Sequence, residues 1–162
     1  MKTIGVLSDT HLLKSDAVKL IEEIARTHFA DVDMVLHAGD LLDIDLFENL
    51  FAGRPFVAVA GNMDPGKTQD RIPAKRTIKI EGVTIGLIHG NGAHLTPESL
   101  LEEFHGVNAI VYGHTHRPLC ETRGDVLMLN PGSPIHPRGI AKGSVALLTV
   151  DGPKITGRII FF

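Results

Sequence analysis

"TIGVLSDTH", residues 3–11, is an apolar run that stops abruptly in an acid and an imidazole. Its first six residues, Thr3 to Ser8, lack a helical period and are rich in aliphatic side chains, so they read as a buried strand. The same shape recurs in "DMVLHA" (33–38), "PFVAVA" (55–60), "VTIGLIH" (83–89) and "NAIVYG" (108–113). Helical patterns lie between these runs. Residues 15–29 offer Ser15 or Asp16 as N-cap and an apolar stripe through Val18, Leu20, Ile21, Ile24 and Ala25. Shorter versions span 43–51 and 96–104, the latter with Thr96 at the cap, Pro97 at the first helical position and Glu98 and Ser99 in the first turn. The alternation predicts a βαβ half with a parallel sheet.

From residue 72 onward the texture changes to antiparallel pairs. "TIKIEGVTIGLI" reads as a hairpin about Glu81-Gly82 and "LCETRGDVLMLN" as another about Gly124-Asp125, while "GSVALLTVD" and "KITGRIIFF" join at Asp151-Gly152-Pro153. No linker, repeat or low-complexity run interrupts the chain. The expectation is an α/β fold: one domain over residues 1–162, with two mixed β-sheets packed together and flanked by helices.

Composition narrows the function. A chain of 162 residues with 43% apolar content is long enough for a core without staples. The formal charge is only −3 and no stripe of Lys and Arg is present, so a nucleic-acid polymer is not an expected partner, although a single nucleotide in a pocket stays open. Cys120 is the sole cysteine, which rules out an internal disulfide and a thiolate metal cluster and favours a reducing compartment. The N-terminus lacks a signal-peptide pattern, and no apolar run approaches the roughly 18 residues needed to span a bilayer. A soluble, cytoplasmic protein with no membrane partner is expected.

The polar residues that follow the apolar strands share one chemistry. They are Asp9 and His11, Asp40, Asn62, His89, and His114 and His116 within "YGHTHRP" (112–118). Ligands of open α/β sheets gather outside the carboxyl ends of strands, so residues this far apart in sequence can converge. Two carboxylates, an amide oxygen and four imidazoles suit Mn²⁺, Fe²⁺, Co²⁺, Ni²⁺ or Zn²⁺. Seven donors exceed the needs of one tetrahedral ion and predict two ions about 3.5–4 Å apart with a bridging carboxylate. In extended chain, residues i and i+2 share a side, which would let Asp9 and His11 serve one ion while His114 and His116 straddle the pair. Gly39, Gly61 and Gly113 read, taken singly, as turn formers.

The ordered set "SDTH", "GD", "GNMD", "HG" and "GHTH" resembles the calcineurin-like metallophosphoesterase superfamily. The compact length, "GHTHRP" and the following "NPGSP" are most similar to its small YfcE-like phosphodiesterase branch, and the likeness runs from residue 4 to about residue 134. It implies a double β-sandwich with helices on both outer faces, a four-layer α/β/β/α arrangement. It also implies one ion held by Asp9, His11, Asp40 and His116 and a second by Asp40, Asn62, His89 and His114, with Asp40 bridging. Mn²⁺ stands foremost among the candidate ions. A hydroxide bridging the two ions would attack a small phosphoester, with Asp40, Asn62 and His89 in the catalytic centre. Asp64 would orient a neighbouring histidine or a metal-bound water. The family also implies a homo-oligomer, dimer or tetramer.

One departure matters. Many members of the superfamily place a proton-donating histidine after "GN", where this chain has Met63. General acid catalysis is worth about 10²- to 10⁴-fold, so diesters or esters with acidic leaving groups are the expected substrates. The alternative is a protein-binding scaffold of the same fold, like the subunit found in the eukaryotic retromer. In the resembling branch "NPGS" passes near the metal centre, which makes Asn130, Ser133 and Arg138 candidate phosphate contacts against a turn-only role. His28 and His105 read as surface residues near helix C-termini, and His37 as a packing or hydrogen-bonding residue. His94 and His136 fall in loops bordering the cleft with no assigned role. The terminal "IIFF" reads as an edge strand or an oligomer contact.

Overall fold

The computed structural model describes residues 1–12, 15–91 and 95–162; His94 lies outside them. The first sheet contains β1 (Lys2–Leu7), β2 (Met34–His37), β3 (Phe56–Ala58), β9 (Ser144–Asp151) and β10 (Lys154–Phe161). The second contains β4 (Lys75–Ile80), β5 (Val83–Ile88), β6 (Ala109–Val111), β7 (Leu119–Arg123) and β8 (Val126–Asn130). Their orders are β10-β9-β1-β2-β3 and β4-β5-β6-β8-β7. In each sheet three strands run parallel, β1 with β2 and β3, and β5 with β6 and β8, and the remaining two strands pair antiparallel. The C-terminal hairpin therefore completes the first sheet, against β1, and does not extend an antiparallel second half.

Alternation along each central strand sets the layers. In β1, Ile4 and Val6 face the second sheet and meet Leu87, Val111 and Leu129, while Leu7 faces outward with Val35 and Leu147. The outer face of the first sheet is covered by α1 (Ser15–Thr27) through Ile21 and Ile24 and by α2 (Ile44–Leu50) through Phe47. On the far side α4 (Pro97–Glu103) lays Leu100 over Ile110 and Met128. A single turn, α3 (Gly66–Gln69), follows β3. Each outer face seats a phenylalanine on a glycine: a Cβ on Gly5 would stand 2.8 Å from the Phe29 ring, and one on Gly86 2.8 Å from Phe104. Fully burying a Phe, Leu or Ile contributes about 1.5–3 kcal/mol, so these contacts fix the helical layers onto the sheets.

Local signals explain the ends of elements. The α2 cap is Asp43, whose carboxylate accepts from the Leu46 N–H, and Thr96 and Ser99 cap α4 reciprocally. The first helix begins at Ser15, so Ser15 and Asp16 both lie in its first turn. The predicted two-residue turns Glu81-Gly82 and Gly124-Asp125 stand, with Ile80 opposite Val83 and Arg123 opposite Val126.

Candidate metal centre

Both sets of parallel strands open at the same end, and the polar loops that follow β1, β2, β3, β5 and β6 meet there. Asp9 joins the two sheets: its carboxylate accepts from the His114 N–H at 3.0 Å and lies 3.2 Å from His116 Nε2. Asp40 Oδ2 lies 3.3 Å from His89 Nε2 and 3.6 Å from His11 Nε2, reaching both halves of the cluster. Asn62 Oδ1 is 3.1 Å from both His89 Nε2 and His114 Nδ1. Ligand atoms of Asp9, His11 and His116 lie within 4.8 Å of one another, and so do those of Asp9, Asp40 and His89. All seven sequence-predicted ligands are thus brought together.

The rings are aimed by contacts on their far sides. His89 Nδ1 is 2.7 Å from the Ala38 carbonyl and His116 Nδ1 is 2.7 Å from the His136 carbonyl, contacts that only an N–H makes. In the neutral ring Nε2 of each is thereby the lone pair facing the cluster, the tautomer a metal ligand needs. The Asp9 and Asp40 residues are 0% and 2% exposed, and two buried carboxylates side by side call for positive charge. Part of that demand falls on the imidazoles. Burial opposes protonation of His116, but the hydrogen bond and charge of Asp9 outweigh it and raise its pKa. At His89 the carboxylates of Asp40 and Asp9 likewise overcome burial. His11 and His114 go the other way, pushed down chiefly by burial. Convergent oxygen and nitrogen lone pairs, buried anions and no thiolate fit divalent cations of the borderline class.

The backbone reaches this arrangement differently from the extended-chain expectation. Asp9, His11, Asp40, His114 and His116 all have positive φ, between 41° and 67°. Alternate residues share a side because they sit in left-handed turns, not because the chain is extended. Left-handed conformation costs an L-residue about 1–2 kcal/mol and is tolerated best by Asn and Asp, so five such ligands mark stored strain at one site. Main-chain bonds hold it: the Asp9 N–H donates to Gly39 O, the His11 N–H to Asp40 O and the Gly113 N–H to His89 O.

Two glycines act through space and not as turn formers. A Cβ on Gly61 would lie 2.1 Å from Asp40 Oδ1, and one on Gly113 1.9 Å from Ser8 Oγ and 2.8 Å from Asp9 Oδ2. Any side chain there would displace a ligand carboxylate.

Three candidates turn toward the main chain. The Asp64 carboxylate bonds no histidine among the described residues and accepts the N–H groups of Asp40 (3.0 Å), Gly61 (2.7 Å) and Leu42 (2.7 Å), pinning the main chain around Asp40. Asn130 and Ser133 do not face the cleft; both are fully buried. Asn130 Nδ2 donates to the Gly113 carbonyl and Thr115 Oγ1, and Ser133 Oγ donates to the Asp9 carbonyl, so their polarity is spent fastening ligand loops. Sequence reasoning does not reach Ser8, whose hydroxyl donates to Asp9 Oδ2 at 2.6 Å; its place inside "SDTH" is the only signal. His37 is buried against the Phe47 ring edge and bonded to Thr10 and Gly39, with its pKa pushed down to about 3 by burial, so it stays neutral. His28 stacks on Phe162, and His105 is exposed.

The cluster opens into a cleft of about 730 Å³. Beyond the ligands its walls carry Met63, Ile135, His136, Pro137 and Arg138.

Comparison with known proteins agrees with this geometry. The model of the calcineurin-like phosphoesterase superfamily domain matches residues 1–152. A Methanothermobacter thermautotrophicus protein named "Probable metallophosphoesterase" is 37% identical over 97% of this chain and 91% of its own length. A Methanocaldococcus jannaschii phosphodiesterase is 28% identical over 80% of this chain and 82% of its own. Among solved structures, Vps29 of Chaetomium thermophilum superposes with a TM-score of 0.79 over 100% of this chain and 98% of its own, at 18% identity, a likeness of fold alone. With a two-sheet sandwich, a convergent cluster of candidate metal ligands and a family match over residues 1–152, the chain belongs to the calcineurin-like phosphoesterase superfamily.

Proposed function

We propose that the protein is a dimetal-dependent phosphodiesterase acting on a small phosphoester. The observation that carries this is the position of Asp40, whose Oδ2 stands between His11 and His89 as a bridging carboxylate would. Asp9, His11, Asp40 and His116 would hold one ion, and Asp40, Asn62, His89 and His114 the other, with Mn²⁺ foremost. The bound ions would supply Lewis acidity toward phosphoryl oxygens and a hydroxide at neutral pH. Around them the protein fixes direction. Hydrogen bonds to the Ala38 and His136 carbonyls hold His89 and His116, and Asp64 holds the Asp40 loop. Attack forms one P–O bond and breaks the bond to the ester oxygen, releasing an alcohol and a phosphomonoester. Met63, in the cleft wall, takes the place after Gly61-Asn62 where many superfamily members carry a proton-donating histidine, so the ester oxygen would leave with its electron pair and take its proton from solvent, and acidic leaving groups are favoured.

The test pairs metal analysis with turnover of an aryl phosphodiester, on wild type and Asp40→Asn, across Mn²⁺, Ni²⁺, Co²⁺, Zn²⁺ and Mg²⁺. Near two ions per chain, with turnover that collapses in the variant, is the expected result. Bound metal without turnover of any ester would favour the second reading, a protein-binding scaffold, to which Met63 and the fold shared with Vps29 lend support. Five strained ligand residues weigh against it, because a pure scaffold has no physical need for them. We further propose a cytoplasmic homo-oligomer, with light scattering coupled to gel filtration as the check on assembly.

A further inference from the structure

We infer that the mouth of the cleft is a recognition surface for an anionic phosphoester with an apolar or aromatic substituent, Arg138 anchoring the anion and Met63 and Ile135 seating the substituent. This rests on the phosphodiesterase reading and specifies its substrate class. Arg138 lines the cleft with an exposed side chain, while its backbone N–H donates to the His116 carbonyl at 3.1 Å, which ties the loop to a ligand residue. Three other arginines are engaged away from the cleft, and of the eight in the sequence Arg138 is the one that lines it. Arg71 pairs with Asp45 and Glu48, Arg123 with Glu121, and Arg54 binds the carbonyls of Phe29, Ala30 and Val32. The Arg138 guanidinium makes no ion pair among the described residues. Once the cluster holds its ions, the Arg138 guanidinium is a further cation beside them, and a phosphoryl oxygen supplies the anion that both can bind.

Apolar side chains line the cleft as well. Met63 is 59% exposed, among the most exposed large apolar side chains of the fold. Its backbone N–H donates to Asp40 Oδ1 at 2.8 Å, so its flexible thioether begins beside the cluster and reaches into the mouth. Ile135, whose N–H is held by Ser133 Oγ, and Pro137 add apolar lining from the Arg138 loop. A phosphorus atom at the ligand cluster would present its ester group to these side chains, where a thioether adapts to varied shapes.

The experiment uses the Mn²⁺-loaded protein as wild type, Arg138→Ala, Arg138→Lys and Met63→Ala. Calorimetry measures binding of phenylphosphonate and methylphosphonate, and kinetics with bis(p-nitrophenyl) phosphate separate KM from kcat. Arg138→Ala should weaken both phosphonates by about 10-fold or more and raise KM more than it lowers kcat, with Arg138→Lys intermediate. Met63→Ala should weaken phenylphosphonate by about 3- to 10-fold and leave methylphosphonate unchanged. Metal content should match wild type in all three. Unchanged phosphonate binding in Arg138→Ala, equal weakening of both ligands in Met63→Ala, or no binding by wild type would overturn the inference. Wild type that binds phosphonates with this variant pattern yet hydrolyses no ester would keep the recognition surface and remove the phosphodiesterase reading.

Discussion

Replacing Asp64 by Asn should damage the metal centre without touching a ligand. The carboxylate receives three backbone N–H groups, those of Asp40 and Gly61 at Oδ2 and that of Leu42 at Oδ1, and the residue is 4% exposed. An Asn in the same place keeps its oxygen for the first two and turns an NH₂ toward the Leu42 N–H. One hydrogen bond to a charged group is lost, about 1.5–3 kcal/mol, and a largely buried N–H is left facing another donor, about 1–3 kcal/mol more. Partial relaxation of the loop brings the expected loss to about 2–4 kcal/mol. In a domain of 162 residues that lowers the melting temperature by about 4–16 °C. Because the three N–H groups bracket Asp40 with its φ of 57°, the carboxylate should also lose its aim, and Mn²⁺ affinity should fall about 10- to 100-fold. Urea unfolding of the metal-free protein reads the first effect, and calorimetric Mn²⁺ titration of the folded variant reads the second. An unfolding midpoint and a Mn²⁺ affinity both equal to wild type would refute the assignment of Asp64 as the anchor of this loop.

Three further outcomes are expected. Gly113→Ala should destabilise the fold by about 1–3 kcal/mol and lower metal occupancy, since its Cβ would meet Ser8 Oγ at 1.9 Å; elemental analysis with thermal unfolding checks both. Met63→His should raise turnover of alkyl diesters by about 10-fold or more and that of p-nitrophenyl diesters much less, read from paired kcat values. The folded-state pKa of His37 lies near 3 against 6.5 unfolded, so the unfolded chain binds the extra proton between those values. Its contribution is therefore full above pH 6.5 and is lost as pH falls, at about 1.4 kcal/mol per unit, or about 2 kcal/mol by pH 5. The drop in urea midpoint of metal-free protein from pH 7.5 to 5 should be smaller in His37→Asn than in wild type.

What the sequence made legible is what one-dimensional patterns encode. Apolar runs of strand length followed by Asp, Asn or His reveal both the sheets and the ligands, because a buried parallel strand must be apolar throughout and its carboxyl end is where a loop is free to carry chemistry. The pairing of β9 with β1 is invisible to such a pattern, since any long apolar strand suits either sheet, and only the open side of β1 selects it. Asp64, Asn130 and Ser133 are hidden for another reason. Their types suit a catalytic loop and a scaffold equally, and burial decides: a carboxylate with three backbone donors and an amide bonded to the Gly113 carbonyl have nothing left to offer a substrate. The left-handed ligands show why such anchors exist. Residues that each resist their own backbone conformation keep it only where neighbours over-determine it, so strain at Asp9, Asp40 and His114 and buried polar anchors at Ser8, Asp64, Asn130 and Ser133 are two sides of one device. Loosening an anchor and deleting a ligand should therefore share one sign, lost metal, and differ in route: the anchor variant frees the main chain around the ligands, whereas removal of the Asp40 carboxylate takes away the donor itself and leaves the Met63 N–H without its acceptor.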